Sequence, residues 1–357
     1  MSSPPEGTPR PARPTMRDVA ALAGVAVKTV SRVMNGVSTV DPELVHRVRK
    51  AADMLSYRPN LTASNLRRGA GRTSTIGLLL EDVANPFSAA LLRAVEDEAR
   101  ARGVQVLIAS LDEDPERERQ LALDLIDRQV DGLVIVPAGQ DQSYLLAESR
   151  LGVPAVFLDR EPSLFAADTV ISDNFGGATA AVRHLLAAGH QRVGYLGDVP
   201  SLATSAHRFA AYEAATREAG RAPGPRHVAQ GLRTAEQAAQ ATYAMMAEAE
   251  PPTALFASQN LVTIGATTAL HQLDLAQRVA LVGFDDFVLA DVLEPGVSVV
   301  AQDVTAMGRL AAQRLFARQA GDASPPRTYV VPTTLVARGS GEIRPRDGQP
   351  QRRGSAR

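Results

Sequence analysis

The sequence predicts an α/β protein with an N-terminal all-α helix-turn-helix head followed by a two-lobed body of parallel sheets. Two observations predict it. Residues 15 to 36 pack two short helical patterns around a single glycine. From Thr75 onward, short apolar β-rich runs alternate with amphipathic helical stretches, and the alternation occurs twice.

The first helix opens at Thr15, with Asp18 three residues later, the spacing at which a hydroxyl caps a free amide while a carboxylate reaches back. Met16, Val19, Ala20 and Ala23 recur at helical spacing, Gly24 supplies the corner and Val25 plugs it. In the second helix Val30, Val33 and Met34 form the inward stripe, which leaves Val27, Lys28, Ser31 and Arg32 on the opposite face. Asn35-Gly36 ends it. Asp41 caps a third helix with Pro42 at its first position, and Leu44, Val45, Val48, Ala52 and Leu55 bury against the other two.

Two helices around a glycine corner also occur in all-α proteins that bind no nucleic acid. Charge favours DNA. Residues 1–72 hold 12 Lys plus Arg against 5 Asp plus Glu, whereas residues 73–339 hold 21 against 32. A chain of net charge −1 thus carries a basic head on an acidic body, as expected when one end meets phosphates.

Strands are expected at 76–80, 104–109, 130–136, 155–158 and 170–172, with helices at 86–102, 115–129 and 141–151 between them. A second unit begins near Asn174, with helices 174–189, 205–219, 234–249 and 259–273 around strands 192–197, 253–258 and 279–284. Helix 303–320 and the run 328–337 are expected to pass back across the boundary. The domain limits that follow are a disordered tail 1–14, the head 15–59, a hinge helix and linker 60–72, the body 73–339 and a disordered tail 340–357. Lobe one takes about 73–173 plus 302–331, and lobe two about 174–301 plus 332–339.

With no cysteine, disulfides, thiolate metal sites and cysteine nucleophiles are excluded, and the six histidines show no ligand spacing. No metal and no cofactor is expected. No apolar run reaches the length of a membrane span, and residues 1–14 lack an apolar segment, so a cytoplasmic location without membrane partner is expected.

Ligands of parallel sheets sit beyond the carboxyl ends of the strands. Those ends run into Asn85-Pro86-Phe87, Asp159-Arg160, Gln259-Asn260 and Asp285-Asp286, and strand 192–197 is followed by Thr204 and Arg208. Amides, carboxylates and guanidiniums with one aromatic face suit a polyhydroxylated ligand, because hydroxyls both donate and accept. The blander reading has Asp159 or Asp285 capping a turn, Arg208 as a surface charge and Phe87 as core. Catalysis is not expected: no phosphate loop, HExxH, nucleophile elbow or base and nucleophile pair is found. A solute receptor would need a signal peptide and would lack the basic head.

Residues 15–70 closely resemble the lactose-repressor family of bacterial transcription regulators, through DVAALAGVAVKTVSRVMNG, Tyr57-Arg58-Pro59-Asn60 and the stretch Leu61 to Arg68. The resemblance continues through Asn85-Pro86-Phe87, VDGLVIVP, AVFLDR, ISDNFGGA, HLLAAGHQRVGYLG, His207-Arg208-Phe209 and LVGFDD. It implies a repressor that is a homodimer, or a tetramer built from it, on a near-palindromic operator, with a body like periplasmic sugar-binding proteins and a small carbohydrate as effector. By motif position, Val27 and Lys28 face base edges, while Thr29, Ser31, Arg32 and Asn35 contact backbone or bases. Tyr57 and Asn60 clamp phosphates, and Thr15 is counted with this set. In the body, Arg208 and Asp285 match the effector clamp, with Phe87, Arg160, Thr204, Arg233, Asn260 and Gln302 as wall residues. Two departures stand out: Ala26 replaces the usual Ser or Thr cap of the second helix, and Gln259-Asn260 replaces the usual Asn-Asp.

Between Asn60 and Gly69 the segment LTASNLRR is too short for a stable isolated helix, since helices below about 12–15 residues are marginal in water. Two copies are expected to pack together over the minor groove, with Ala63 allowing close approach and Leu66 wedging between base pairs. A ligand that changes the spacing of the lobes then changes whether these segments meet. A sugar that opens the dimer acts as an inducer, and one that favours the DNA-bound form as a corepressor.

Overall fold

The computed structural model describes residues 14–34, 37, 39–58, 73–222 and 224–345, which divide into two compact units between Thr73 and Ser74.

The first unit holds helices α1 (Met16–Ala23), α2 (Val27–Met34) and α3 (Pro42–Met54). Thr15 and Asp18 form the expected capping box: the Thr15 amide and hydroxyl both donate to Asp18 Oδ2, at 2.7 and 2.8 Å. Gly24 takes a left-handed conformation at φ 63°, and a Cβ there would lie 3.1 Å from Arg47 Nη2. Arg47 donates to the Ala23 carbonyl at 2.6 Å and so ties the corner to α3. Val19, Val30 and Val48 are fully buried where the three helices meet, and each contributes about 1.5–3 kcal/mol of burial.

The second unit contains two six-stranded sheets. The first has the order β11-β5-β4-β3-β1-β2, built from β1 (Thr75–Leu80), β2 (Gln105–Ser110), β3 (Leu133–Ile135), β4 (Ala155–Leu158), β5 (Asp168–Ser172) and β11 (Thr328–Val331), all parallel. The second has the order β12-β10-β9-β8-β6-β7, from β6 (Val193–Leu196), β7 (Val228–Ala229), β8 (Ala254–Ala257), β9 (Ala280–Phe284), β10 (Ser298–Gln302) and β12 (Thr333–Val336). Only β12 runs antiparallel, against β10. The central strands of each sheet are covered on both faces, whereas Leu107 and Ile108 of edge strand β2 are about 40% exposed: Ile76, Leu78 and Leu80 enter one core cluster and Leu79 the other, as period-two alternation requires. In the second sheet Ala280, Val282 and Phe284 face one cluster and Leu281 the other.

The chain crosses between the sheets three times, after β5, after β10 and between β11 and β12. The first two crossings are capped alike. Asp173 accepts from the Gly176 amide at the start of the helix Asn174–Ala187, and Asp303 from the Ala306 amide at the start of the helix Val304–Gln319, both at 2.8 Å.

Three expectations need correction. Residues 298–302 form β10, a strand unread in the sequence because five residues after a Pro-Gly turn carry too little pattern. The expected helix 141–151 is a 3-10 turn, Ser143–Leu145, followed by the short helix Leu146–Arg150. Finally, the expected disordered tail does not begin at 340. Ser340 donates to the Leu281 carbonyl at 2.6 Å and accepts from the Ser298 amide at 2.8 Å. His190 Nε2 meets the Ile343 carbonyl at 2.8 Å. Serine and glycine read as linker residues, yet their small size is what fits this slot: a Cβ on Gly341 would lie 2.8 Å from Val282 Cγ2.

Candidate functional site

On the head, the face of α2 opposite Val30 and Val33 carries Val27, Lys28 and Arg32, all exposed, with Thr29 and Ser31 half-buried beside them. Arg32 Nη2 donates to Thr39 Oγ1 at 2.7 Å, which steadies the guanidinium against the following loop. At the start of α2 the Thr29 and Val30 amides donate to the Ala26 carbonyl, at 2.8 and 3.2 Å, and the methyl side chain of Ala26 cannot accept from a first-turn amide. Thr15 is exposed and engaged with Asp18, while Tyr57 is half-buried and packs against the head core. Asn35, Asn60, Ala63 and Leu66 lie outside the described residues.

In the body, carboxylates gather where strands end. Glu81 directly follows β1, Glu113 comes three residues after β2, Asp159 directly follows β4, Asp198 comes two residues after β6, and Asp285 directly follows β9. Two buried guanidiniums answer them. Arg160 donates from both terminal nitrogens to Glu113, at 2.7 and 2.6 Å, and lies 3.5 Å from Asp159 and 3.9 Å from Glu81. Arg208, on the helix Ala203–Glu218, donates to Asn174 Oδ1 at 2.8 Å and to the Ser258 carbonyl at 2.7 Å. Its guanidinium lies 3.8 Å from the centroid of the Phe284 ring and 3.9 Å from Asp285 Oδ2.

Burial sets the protonation of this cluster. It pushes Asp159 and Asp285 above the usual carboxylate range, against the opposing pull of Arg160 and Arg208 on the first and Arg208 on the second. Asp198 is raised for the same first reason. Glu81 is pushed up to about 7 by burial and by the neighbouring charge of Glu113. Several buried polar atoms here have no hydrogen-bond partner among the described residues, including Asp159 Oδ1 and Gln302 Oε1. Such orphans are costly unless something arrives to satisfy them.

Among the expected wall residues, Asn260 and Gln302 join the cluster: the Asn260 backbone N–H and the Gln302 side-chain amide both donate to the Asp285 carboxylate. Asn260 Nδ2 also donates to Asn85 Oδ1 at 2.7 Å, a direct bond between the lobes. Thr204 is buried one helical turn before Arg208, and Phe87 is half-buried against the lobe-one core. Arg233 is exposed, and its backbone N–H donates to Gln237 Oε1 at 2.8 Å. The structure does not bring it to the cluster, because the turn before the helix Ala235–Met246 leaves its side chain in solvent. Glu81, Glu113 and Asp198 were not expected. The signal that finds them is a carboxylate within three residues of a strand's carboxyl end.

The comparisons agree with this architecture. Residues 15–60 match the family model described as bacterial regulatory proteins, lacI family, and residues 182–341 match that of a periplasmic binding protein-like domain. The chain is 30% identical over 328 residues to the ribose operon repressor of Haemophilus influenzae, covering 91% of this chain and 98% of that one. The structure of the lac repressor dimer bound to operator and the anti-inducer ONPF is similar with a TM-score of 0.82 and 26% identity, over 92% of this chain and 99% of that chain. A complex of the transcriptional regulator CelR with cellobiose is 29% identical, with a TM-score of 0.68, over 92% and 100% of the two chains. No helix among the described residues is long and apolar enough to cross a membrane. With a helix-turn-helix head, a body of two parallel-sheet lobes and relatives spanning nine-tenths of its length, the chain belongs to the lacI family of bacterial regulatory proteins: it is a DNA-binding transcriptional regulator and not an enzyme.

Proposed function

We propose that this regulator is a cytoplasmic homodimeric repressor whose grip on a near-palindromic operator is switched by a small polyhydroxylated effector held between the lobes. The single observation that carries the effector site is the buried constellation of Arg208, Asp285 and Asp159, drawn from both sheets and still holding an orphaned acceptor. Similarity to a ribose operon repressor and to a cellobiose complex supports a sugar. Val27 and Lys28 contact base edges, Arg32, Thr29 and Ser31 fix the register on phosphates, and Asn35, Tyr57, Asn60, Ala63 and Leu66 complete the DNA contacts. Lobe exchanges near 173, 302 and 332 are supported by the three crossings between sheets, and the body continues at least to Ile343, which bonds to His190. The dimer contact uses exposed apolar side chains on lobe one, Val83, Leu107 and Ile108, and on lobe two, Val288, Leu289 and Val292. Edge strand β2 supports this, since its free edge needs cover.

The test is a thermal-shift screen of neutral mono- and disaccharides, followed by operator binding with and without the sugar that stabilises the protein. A stabilising sugar that changes operator affinity in the parent protein but not in Arg208→Ala supports the reading. A normal response in Arg208→Ala removes the clamp from the effector site.

A further inference from the structure

We propose that the cleft selects its effector by charge, admitting a neutral or ammonium-bearing polyol and rejecting sugar acids and sugar phosphates. This rests on the reading of the cleft as the effector site and adds the chemical class of its occupant.

The first ground is the balance of charged groups. Glu81, Glu113, Asp159, Asp198 and Asp285 share the cleft with two cations, Arg160 and Arg208, and the carboxylates of one lobe feel the charges of the other. The second ground is that the paired terminal nitrogens of Arg160, and Nε and Nη1 of Arg208, are already engaged, which leaves Arg160 Nε as a donor without an acceptor among the described residues. A carboxylate or phosphate is best held by the two-pronged edge of a guanidinium. Arg160 has given that edge to Glu113, and its Nη1 also donates to the Pro137 carbonyl at 3.2 Å. Arg208 has spent Nε on Asn174 and Nη1 on Ser258, with its face over Phe284.

The third ground is independent of the count. Asp159 is 6% exposed, and its Oδ1 accepts from no donor among the described residues. Gln302 Oε1 is a second acceptor in the same condition. Both call for O–H or N–H donors, while the orphaned Arg160 Nε calls for an acceptor, and the hydroxyls of a neutral polyol supply both without adding charge. An anion brings further acceptors to acceptors, and like charges brought together in a poorly solvated cleft repel strongly. Burial raises the pKa values of Asp159, Asp198 and Asp285, and neighbouring carboxylates add to the rise for Asp159 and Asp198.

Isothermal titration calorimetry on the full-length protein tests this with sets that differ in charge alone. Suitable sets are galactose, galactosamine, galacturonate and galactose 1-phosphate, with matching sets on glucose, ribose and cellobiose. The expected result is that in the set that binds, the neutral or amino member is at least about tenfold tighter than the acid and the phosphate. Asp159→Asn, which keeps the shape and removes one charge, should narrow that gap at least about threefold. A set in which the acid or phosphate binds best overturns the charge selection and leaves the sugar reading standing. An unchanged gap in Asp159→Asn overturns it as well. Absence of binding in every set overturns both.

Discussion

Asp159 and Asp285 occupy equivalent places in the two lobes. Each directly follows a strand, each has a left-handed backbone at φ 68° and 69°, and each donates its N–H to the neighbouring strand, to the Val170 carbonyl at 2.8 Å and the Val300 carbonyl at 2.9 Å. Few residues other than Gly, Asn and Asp tolerate that conformation. The backbone therefore turns two carboxylates toward one cleft by the same local device. Asp285→Asn is expected to keep the fold and to weaken effector binding about 10- to 100-fold, by loss of charge-assisted bonds. Asp285→Val should in addition lower the melting temperature of the body, through strain of about 1–2 kcal/mol. Calorimetric titration and thermal melts read the two effects separately, and equal melting of both variants contradicts the strain argument.

Removal of Arg208 leaves Asp285 buried beside an aromatic ring without its cation. Breaking a buried pair on one side costs about 3–5 kcal/mol, partly relieved here because Asp285 can take up a proton. Arg208→Ala should destabilise the body and abolish the effector response, with operator affinity kept at temperatures where the body is folded. The double variant Arg208→Ala with Asp285→Asn should recover part of the lost stability, as denaturant unfolding will show.

Glu81 makes the body less stable as pH rises, against the opposite effect of His190, whose pKa burial lowers. Folding raises its pKa from an ordinary value of 4.5 to about 7, so the folded chain holds this proton more tightly than the unfolded one. The stability it contributes is complete below about 4.5 and is lost as pH rises through about 7. Asp159, Asp198 and Asp285 act with the same sign. Unliganded protein should melt at a lower temperature at pH 8 than at pH 6, and Glu81→Gln should flatten that slope.

Ala26 precedes the second helix of the head and has no side-chain oxygen to cap it. Ala26→Ser should stabilise the head by about 1 kcal/mol, because its hydroxyl can accept from a first-turn amide. Hydrogen exchange at the Lys28 and Thr29 amides of the full-length protein will slow if the cap forms.

The head was the most legible part of the sequence, since Thr15 with Asp18, Gly24 and Asp41-Pro42 act within a few residues of themselves. The body cleft was half legible. Asp285 stands at a strand end and Arg208 on the helix Ala203–Glu218, both match a known motif, and the structure brings them together. Glu113 was hidden because its bond to Arg160 joins positions 47 residues apart and depends on two successive left-handed residues, Asp112 and Glu113. Arg233 failed in the opposite way: it lies in a segment that follows a strand, but the turn aims it at solvent. The segment 340–345 was misread because its contacts with Leu281, Ser298 and His190 come from distant strands and helices that local composition does not report.

The central claim is that the exposed face of Val27, Lys28 and Arg32 reads a specific duplex. Fluorescence anisotropy at moderate salt should compare the regulator on its own promoter fragment and on a random duplex of equal length. The predicted result is a preference of about 10³-fold or more for the promoter, largely lost in Lys28→Ala while the random duplex is bound nearly as before. Equal affinity of the parent protein for both duplexes would contradict the account.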